Sequence, residues 1–200
     1  MKEFLPVLRQ TPLFRGLNDT QILTMLGCLS AVRREYPKGE FVLAEGDLVG
    51  AFGLVLSGNV LVVQEDFWGN RNIIASIGVG EVFAESYACT AGVPLAVSVI
   101  AQETTVALFL DVRKLLTTCA TACDYHNAVV HNLVAMLAAK NLRMNEKLQH
   151  MMQRSTREKL LSFLSAESRR LGRAAFEIPF NRQQLADYLS VDRSAMSSEL

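Results

Sequence analysis

Three soft-ligand side chains fall between positions 119 and 126: Cys119, then Cys123 four residues on, then His126. On a helix, thiols at i and i+4 share a face. With the imidazole they would offer three ligands to zinc, iron or copper, or a thiol pair to an oxidant. The competing reading is three ordinary packed side chains, because cysteine behaves as a small hydrophobe. No fourth ligand is evident, and His131 falls about 140° around a helix from His126 and so off that face. A second constellation lies at the C-terminal end. Arg193, Ser194, Ser197 and Ser198 form a polar outer face with one guanidinium, and Asn181, Arg182 and Gln183 precede them. Arginine suits bidentate contact with guanine in a major groove, and polar residues at a helix start suit phosphate.

These groups need elements to hold them. The spacing of NRQQLADYL (181–189), SVD (190–192) and RSAMSSEL (193–200) predicts helix, tight turn, helix. Leu185, Ala186 and Leu189 would face inward, Val191 would sit in the turn, and Ala195 and Met196 would face back. Upstream, Thr156 to Ala166 reads as a helix, Gly172 as a break, and Phe176 to Phe180 as a short extended piece. Residues 124–153 contain neither Gly nor Pro, and Val130, Leu133, Leu137, Asn141, Met144, Leu148 and Met151 recur at three-or-four spacing. That is an apolar stripe on a helix of roughly 30 residues, about 45 Å long. A second copy in a parallel pair buries such a stripe most economically. Packing within the same chain is the alternative.

Before that helix the texture is different. Short β-rich runs at Phe41–Ala44, Phe52–Ser57, Val60–Gln64, Asn72–Ile77, Leu95–Ala101 and Thr105–Leu110 are separated by PKG, EGD, SGN, WGN and GVG turns. Several short strands at this spacing predict a sandwich or barrel. A helix over Val112 to Ala122 follows them, and a short amphipathic helix beginning at Asn18 and Asp19 precedes them, with Ile22, Leu23, Leu26 and Leu29 on its apolar side.

Composition narrows the function. With 50% hydrophobic and 20% charged residues the chain can build a core, which excludes a mainly disordered protein. No uncharged stretch reaches the roughly 18–20 apolar residues of a membrane span, and no secretory segment is visible, so the expectation is a cytoplasmic protein without a membrane partner. Its cysteines (Cys28, Cys89, Cys119, Cys123) would then be thiols or metal ligands. Residues 1–139 carry 9 Lys and Arg against 13 Asp and Glu, whereas residues 140–200 carry 11 against 7. The basic C-terminal part points toward a polyanion. All three histidines (His126, His131, His150) follow the strands, leaving none inside a barrel to hold a catalytic metal. No P-loop or G-x-S-x-G element is present. An enzyme is not expected.

In order and spacing, PKGE (37–40), EGD (45–47), LVLSGNVLV (54–62), GEVFAE (80–85), TREKLLSFL (156–164) and IPFNRQQLADYLSVDRSAMSSEL (178–200) resemble the Crp/Fnr transcription regulators over essentially the whole chain. The resemblance implies an α+β protein. Residues 1–122 would be a cyclic-nucleotide-binding-like β-jelly roll that senses a signal, 123–153 a long dimerisation helix, and 154–200 a winged helix-turn-helix domain. The chain ends at Leu200, inside the expected recognition helix, so the expectation is a form that dimerises yet binds DNA poorly. The implied partners are a second copy, double-stranded DNA with a pseudo-palindromic operator, and RNA polymerase if the protein activates. Many family members carry Arg at the position of Ser198, which implies a different operator here.

In the family, GEVFAE covers a phosphate-and-ribose cradle, and Glu85 matches the glutamate that binds a ribose hydroxyl. An arginine ten residues later normally pairs with the cyclic phosphate and is followed by a small hydroxyl residue. Here Leu95 and Ala96 stand there. A charge-assisted contact of about 1.5–3 kcal/mol is therefore missing, and cyclic AMP is not the expected effector. A pocket of Phe83, Ala84, Glu85, Leu95 and Ala96, with Met144 and Asn145 from the long helix, would take a more apolar or aromatic ligand, or would be filled by side chains such as Leu95 and Phe83. An Fnr-type iron-sulfur cluster needs cysteines ahead of the jelly roll, and none precedes Cys28. Two alternatives stay open: a metal- or thiol-responsive regulator using Cys119, Cys123 and His126, and an effector-binding module that does not touch DNA.

Overall fold

The computed structural model describes residues 2–69, 71–117 and 124–200. After a 3₁₀ turn at Lys2–Phe4 come α1 (Leu5–Gln10), a second 3₁₀ turn (Pro12–Phe14) and α2 (Asp19–Cys28). Strands β1 (Val32–Tyr36), β2 (Phe41–Leu43), β3 (Ala51–Ser57), β4 (Val60–Glu65), β5 (Arg71–Ile77) and β6 (Val82–Phe83) follow. Then come α3 (Glu85–Cys89), β7 (Ser98–Ala101), β8 (Thr105–Asp111), α4 (Val112–Leu116) and the long α5 (Asp124–Met151). The chain closes with α6 (Thr156–Leu171), α7 (Arg182–Leu189) and α8 (Arg193–Glu199).

Among the described residues, eight strands form two four-stranded sheets, ordered β1-β8-β3-β6 and β2-β7-β4-β5. β8 runs antiparallel to β1 and β3, β6 runs antiparallel to β3, and β7 runs antiparallel to β2 and β4. This is a jelly-roll-like arrangement joined to a long helix. The burial of successive residues in β3 follows from its central place, with Phe52 to Leu56 leaving almost nothing exposed on either face. Its Phe52, Leu54 and Leu56 join Val82, Leu108 and Leu110 in a core completed by Leu8, Phe14, Ile22 and Met25 of the N-terminal helices and Val129 and Leu133 of α5. β1 lies at the edge of its sheet and reads Val-Arg-Arg-Glu-Tyr, with only Tyr36 buried; charged edge residues discourage pairing with a further strand.

The chain divides into two compact units. One comprises residues 1–64 and 76–138; the other comprises 65–75, the tip of the β4–β5 hairpin, with 139–200. The hairpin tip carries Phe67 and Trp68, 96% and 82% exposed, packed edge to face at 6.0 Å. In the second unit, Leu160, Phe163, Leu185, Ala186, Leu189 and Met196 make a small core of their own.

Several sequence expectations shift. β1, β6 and α3 were not foreseen, the last strand before α4 extends through Asp111, and β7 starts at Ser98 instead of Leu95 because Gly92 to Val97 are spent on turns and bends. α6 continues to Leu171, where Gly172 ends it in a left-handed cap (φ 65°). The expected extended piece Phe176–Phe180 carries neither helix nor sheet pairing. α4 is described to Leu116; the remainder of the helix expected through Ala122 falls largely outside the described residues.

The apolar stripe of α5 also divides. Leu133 is buried and Val130 and Leu137 pack against the jelly-roll core, so this end of the stripe is covered within the chain. Farther along, a seam at 4-3-4-3-4 spacing is exposed: Val134, Ala138, Asn141, Asn145, Leu148 and then Met152 just past the helix end. Asn145 Nδ2 donates to Asn141 Oδ1 at 3.3 Å in the middle of this seam.

Candidate ligand and nucleic-acid sites

The expected cradle begins where β6 ends. Phe83 pairs with Gly53 across the β3–β6 ladder, and its ring lies over that glycine so closely that a Cβ there would stand 1.9 Å from Phe83 Cζ. Gly53 is thus fixed by close approach, not by a turn. The Phe83 ring meets Phe109 edge to face at 5.9 Å. Ala84 then takes φ 61°, the left-handed conformation that a Cβ disfavours, and turns the chain into α3. Glu85 opens α3 and is 3% exposed.

Leu95 is 2% exposed, and its backbone is tied to the 46–47 turn: Gly46 N–H donates to the Leu95 carbonyl at 2.8 Å and Leu95 N–H to the Asp47 carbonyl at 2.9 Å. Ala96 is exposed, with its N–H facing the Tyr87 hydroxyl at 3.4 Å. The position that the resemblance reserves for a phosphate-binding cation is therefore a core leucine. Phe83 and Leu95 are both buried side chains. Met144 and Asn145 lie on the stretch of α5 that belongs to the second unit, and both are exposed.

Cys119 and Cys123 lie outside the described residues, and Cys28 is exposed. Burial, aided by the Glu85 charge, pushes the Cys89 thiol above its ordinary range, which keeps it protonated and unreactive. His126 is buried. Its Nε2 sits 2.7 Å from the Leu115 carbonyl, which can only accept, so Nε2 donates, and in the neutral ring Nδ1 presents a lone pair. That Nδ1 is buried without a partner among the described residues. Those residues contain no group of three or more His, Cys, Asp or Glu side chains placed to hold a metal.

At the C-terminal end, Asn181 caps α7. Its carboxamide oxygen accepts from Gln184 N–H at 2.9 Å, and the Gln184 side chain accepts from Asn181 N–H at 2.9 Å. Arg182 is exposed, and Gln183 Nε2 donates to Asp187 Oδ1 at 2.8 Å. Ser190 ends α7 in the left-handed region (φ 51°), and Asp192 caps α8 by accepting from Ala195 N–H at 2.9 Å. Hydrogen bonds from Ser194 and Ala195 hold the Asp192 carboxyl below its usual range.

Arg193, Ser194 and Ser198 are exposed and Ser197 is half-buried. Ser198 Oγ returns a hydrogen bond to the Ser194 carbonyl at 3.0 Å. Met196 anchors α8 alone; Ala195, expected to face back with it, is exposed. Neighbouring residues of a helix point about 100° apart, and in α8 only the Met196 side is covered.

Sequence reasoning passed over Lys147, a lysine in a polar run of α5. It is 6% exposed, and its Nζ donates to the carbonyls of Ile73 at 2.5 Å and Ile74 at 3.2 Å. Burial pushes its pKa down to about 8. Nothing local marks such a residue, because its partners are more than seventy positions away.

The cyclic nucleotide-binding domain family matches residues 33–122. The cyclic AMP receptor protein of Thermus thermophilus is 31% identical over 139 residues, 66% of this chain, and the match spans 58% of that relative's length. The catabolite activator protein structure from Thermus thermophilus is similar at 28% identity and a TM-score of 0.58, covering 94% of this chain and 84% of that one. The c-di-GMP-responsive global regulator CLP of Xanthomonas campestris superposes with a TM-score of 0.73 over 92% of this chain and 90% of that one, at 17% identity, and shares the fold. Residues 33–122 are thus similar to the cyclic nucleotide-binding domain family, and the chain has Crp-like relatives. Among the described residues no helix is long and apolar enough to cross a membrane.

Proposed function

We propose that the chain is a DNA-binding transcription regulator of Crp/Fnr type, acting as a homodimer and sensing a signal other than cyclic AMP. The observation that carries the reading is the α7–turn–α8 pair. Its inner residues Leu185, Ala186, Leu189 and Met196 are buried, while Arg193, Ser194 and Ser198 are exposed on the outer side. As a helix-turn-helix, it would enter a major groove by α8, with Arg193 reading guanine and Asn181, Arg182 and Gln183 near phosphate. In functional terms the sensor is 1–122, the dimerisation helix 123–153 and the DNA-binding domain 154–200. The exposed seam of α5 supports pairing with a second copy, which would cover Val134, Leu148 and Met152 and align the Asn141–Asn145 pair as a register mark. Burial of Leu95 at the phosphate position supports a different effector.

Selection from a random duplex pool at low salt, where even weak binding to duplex is retained, tests this. Enrichment of paired half-sites about one helical turn apart, with the enriched base pattern relaxed at one position by Arg193→Ala, is the expected result. A pool that never enriches overturns it. A second reading, a metal- or thiol-responsive regulator, is favoured by the buried lone pair of His126, since metal-bound imidazoles characteristically donate their other N–H to a carbonyl. Its other proposed ligands, Cys119 and Cys123, lie outside the described residues. Metal analysis of anaerobically purified protein checks it: near-stoichiometric zinc, iron or copper that is lost in His126→Ala supports it, and metal-free protein rejects it.

A further inference from the structure

Within the second unit, three elements converge on one ammonium group. Lys147 projects from α5 and donates to Ile73 and Ile74 of β5. The same Nζ lies 4.1 Å from the centre of the Tyr188 ring on α7. Tyr188 in turn stacks on Phe180 at 4.8 Å and leans on Phe163 at 5.6 Å, so its ring is held still to receive the cation. A second tie runs alongside: Ser190, in the turn between α7 and α8, donates from Oγ to Asn72 Oδ1 at 3.1 Å. Asn72, Ile73 and Ile74 are consecutive residues of an edge strand whose last residues, 76–77, continue into the first unit.

We propose that Lys147 and the Asn72–Ser190 pair form a releasable strap that holds the helix-turn-helix to β5, and that the strap must open for the recognition helix to bind DNA productively. The chemistry suits release. A permanent joint between these elements would be made of apolar packing, whereas this one buries a cation whose lost hydration is only partly replaced by two carbonyls and a ring face. Opening returns the ammonium to water. The domain would then turn about residues 152–155, the only chain between α5 and α6. Lys147 is a positioning residue in this scheme and touches no DNA.

The DNA-binding role of the strap rests on the function proposed above, so two kinds of readout are needed. Competitive labelling with limiting acetic anhydride, read by mass spectrometry on the intact chain, measures the strap without DNA. Lys147 is expected to react at least about tenfold more slowly than the exposed Lys38, despite the low pKa that would by itself make it the faster. Asn72→Ala with Ser190→Ala, two exposed-side changes that leave the cation in place, is expected to raise Lys147 labelling at least about threefold. Equal labelling of Lys147 and Lys38 in the native chain, or protection unchanged by the double substitution, overturns the strap. With the selected duplex, Lys147→Met and the Asn72/Ser190 double variant are expected to bind at least about threefold more tightly than the native chain, while Lys147→Arg stays near native. Unchanged or weaker affinity in both releasing variants overturns the restraint. If no form binds DNA yet labelling behaves as expected, the DNA-binding reading falls and the strap stands.

Discussion

At the scale of single residues, the jelly-roll region is governed by contacts that admit little change. Gly53 has no room for a methyl group beneath Phe83. Gly53→Ala is expected to lower unfolding free energy by about 1–3 kcal/mol through overpacking, and adding Phe83→Leu should recover part of it, a coupling that denaturant titration of the two single variants and the double variant would show. Ala84 asks for the opposite change. With φ at 61° it carries a Cβ in the left-handed region, so Ala84→Gly is expected to stabilise the chain by up to about 1 kcal/mol. His150 supplies a pH test. Burial, against the weaker opposing charges of Glu146 and Glu167, holds its pKa below the ordinary 6.5, while its Nδ1 meets Ser162 Oγ at 2.7 Å. As the pH falls through 6.5 the unfolded chain takes up a proton that the folded chain still refuses, so stability is full above 6.5 and declines below it. Urea midpoints measured at pH 7.5 and 5.5 should separate in the native chain and draw together in His150→Gln.

At the scale of elements, the long helix carries the clearest expectation. If the proposed pairing holds, sedimentation at micromolar concentration is expected to show dimer for the native chain and monomer for Leu148→Asp with Met152→Asp, which puts two charges on the exposed seam. The strands bounded by glycine turns were legible because Gly39, Gly46, Gly58 and Gly69 sit at positive φ where L side chains are strained. The cap of α2 was legible because Asn18 precedes the helical spacing, whereas Asn181, expected within the helix, is the N-cap of α7. β1 was hidden because four of its five residues face solvent and are mostly charged, which erases the alternation that marks a strand. β6 was hidden by being two residues long. The exposed α5 seam at Val134, Ala138, Asn141, Asn145 and Leu148 shares only Asn141 and Leu148 with the stripe that spacing predicts, and only the packing of Leu133 and Leu137 against the core tells the covered side from the open one.

At the scale of the whole molecule, charge is divided along the chain, with the excess of Lys and Arg after residue 139. Binding to the selected duplex should therefore be strongly screened, with affinity falling on the order of a hundredfold between 50 and 200 mM salt; a flat salt response would remove phosphate contacts from the mechanism. The grouping of residues 65–75 with 139–200 was beyond the reach of sequence reasoning. Composition and periodicity report on neighbours along the chain, whereas Lys147 with Ile73 and Ser190 with Asn72 are pairings across 74 and 118 positions. The Leu95 substitution was legible because a resemblance supplied the residue to compare it with; the Phe83–Gly53 approach was not, since it depends on the register of two strands.

The hairpin that bears Asn72 and Ile73 also bears Trp68, the one tryptophan in the sequence, and it is 82% exposed. The protein consequently contains its own optical label on a surface that no described side chain covers except the neighbouring Phe67 ring. Its emission should be that of a hydrated indole, shifted to long wavelength and open to collisional quenching by iodide. Whatever settles on the hairpin tip will shield that indole, so binding there can be followed by fluorescence, with nothing attached to the protein.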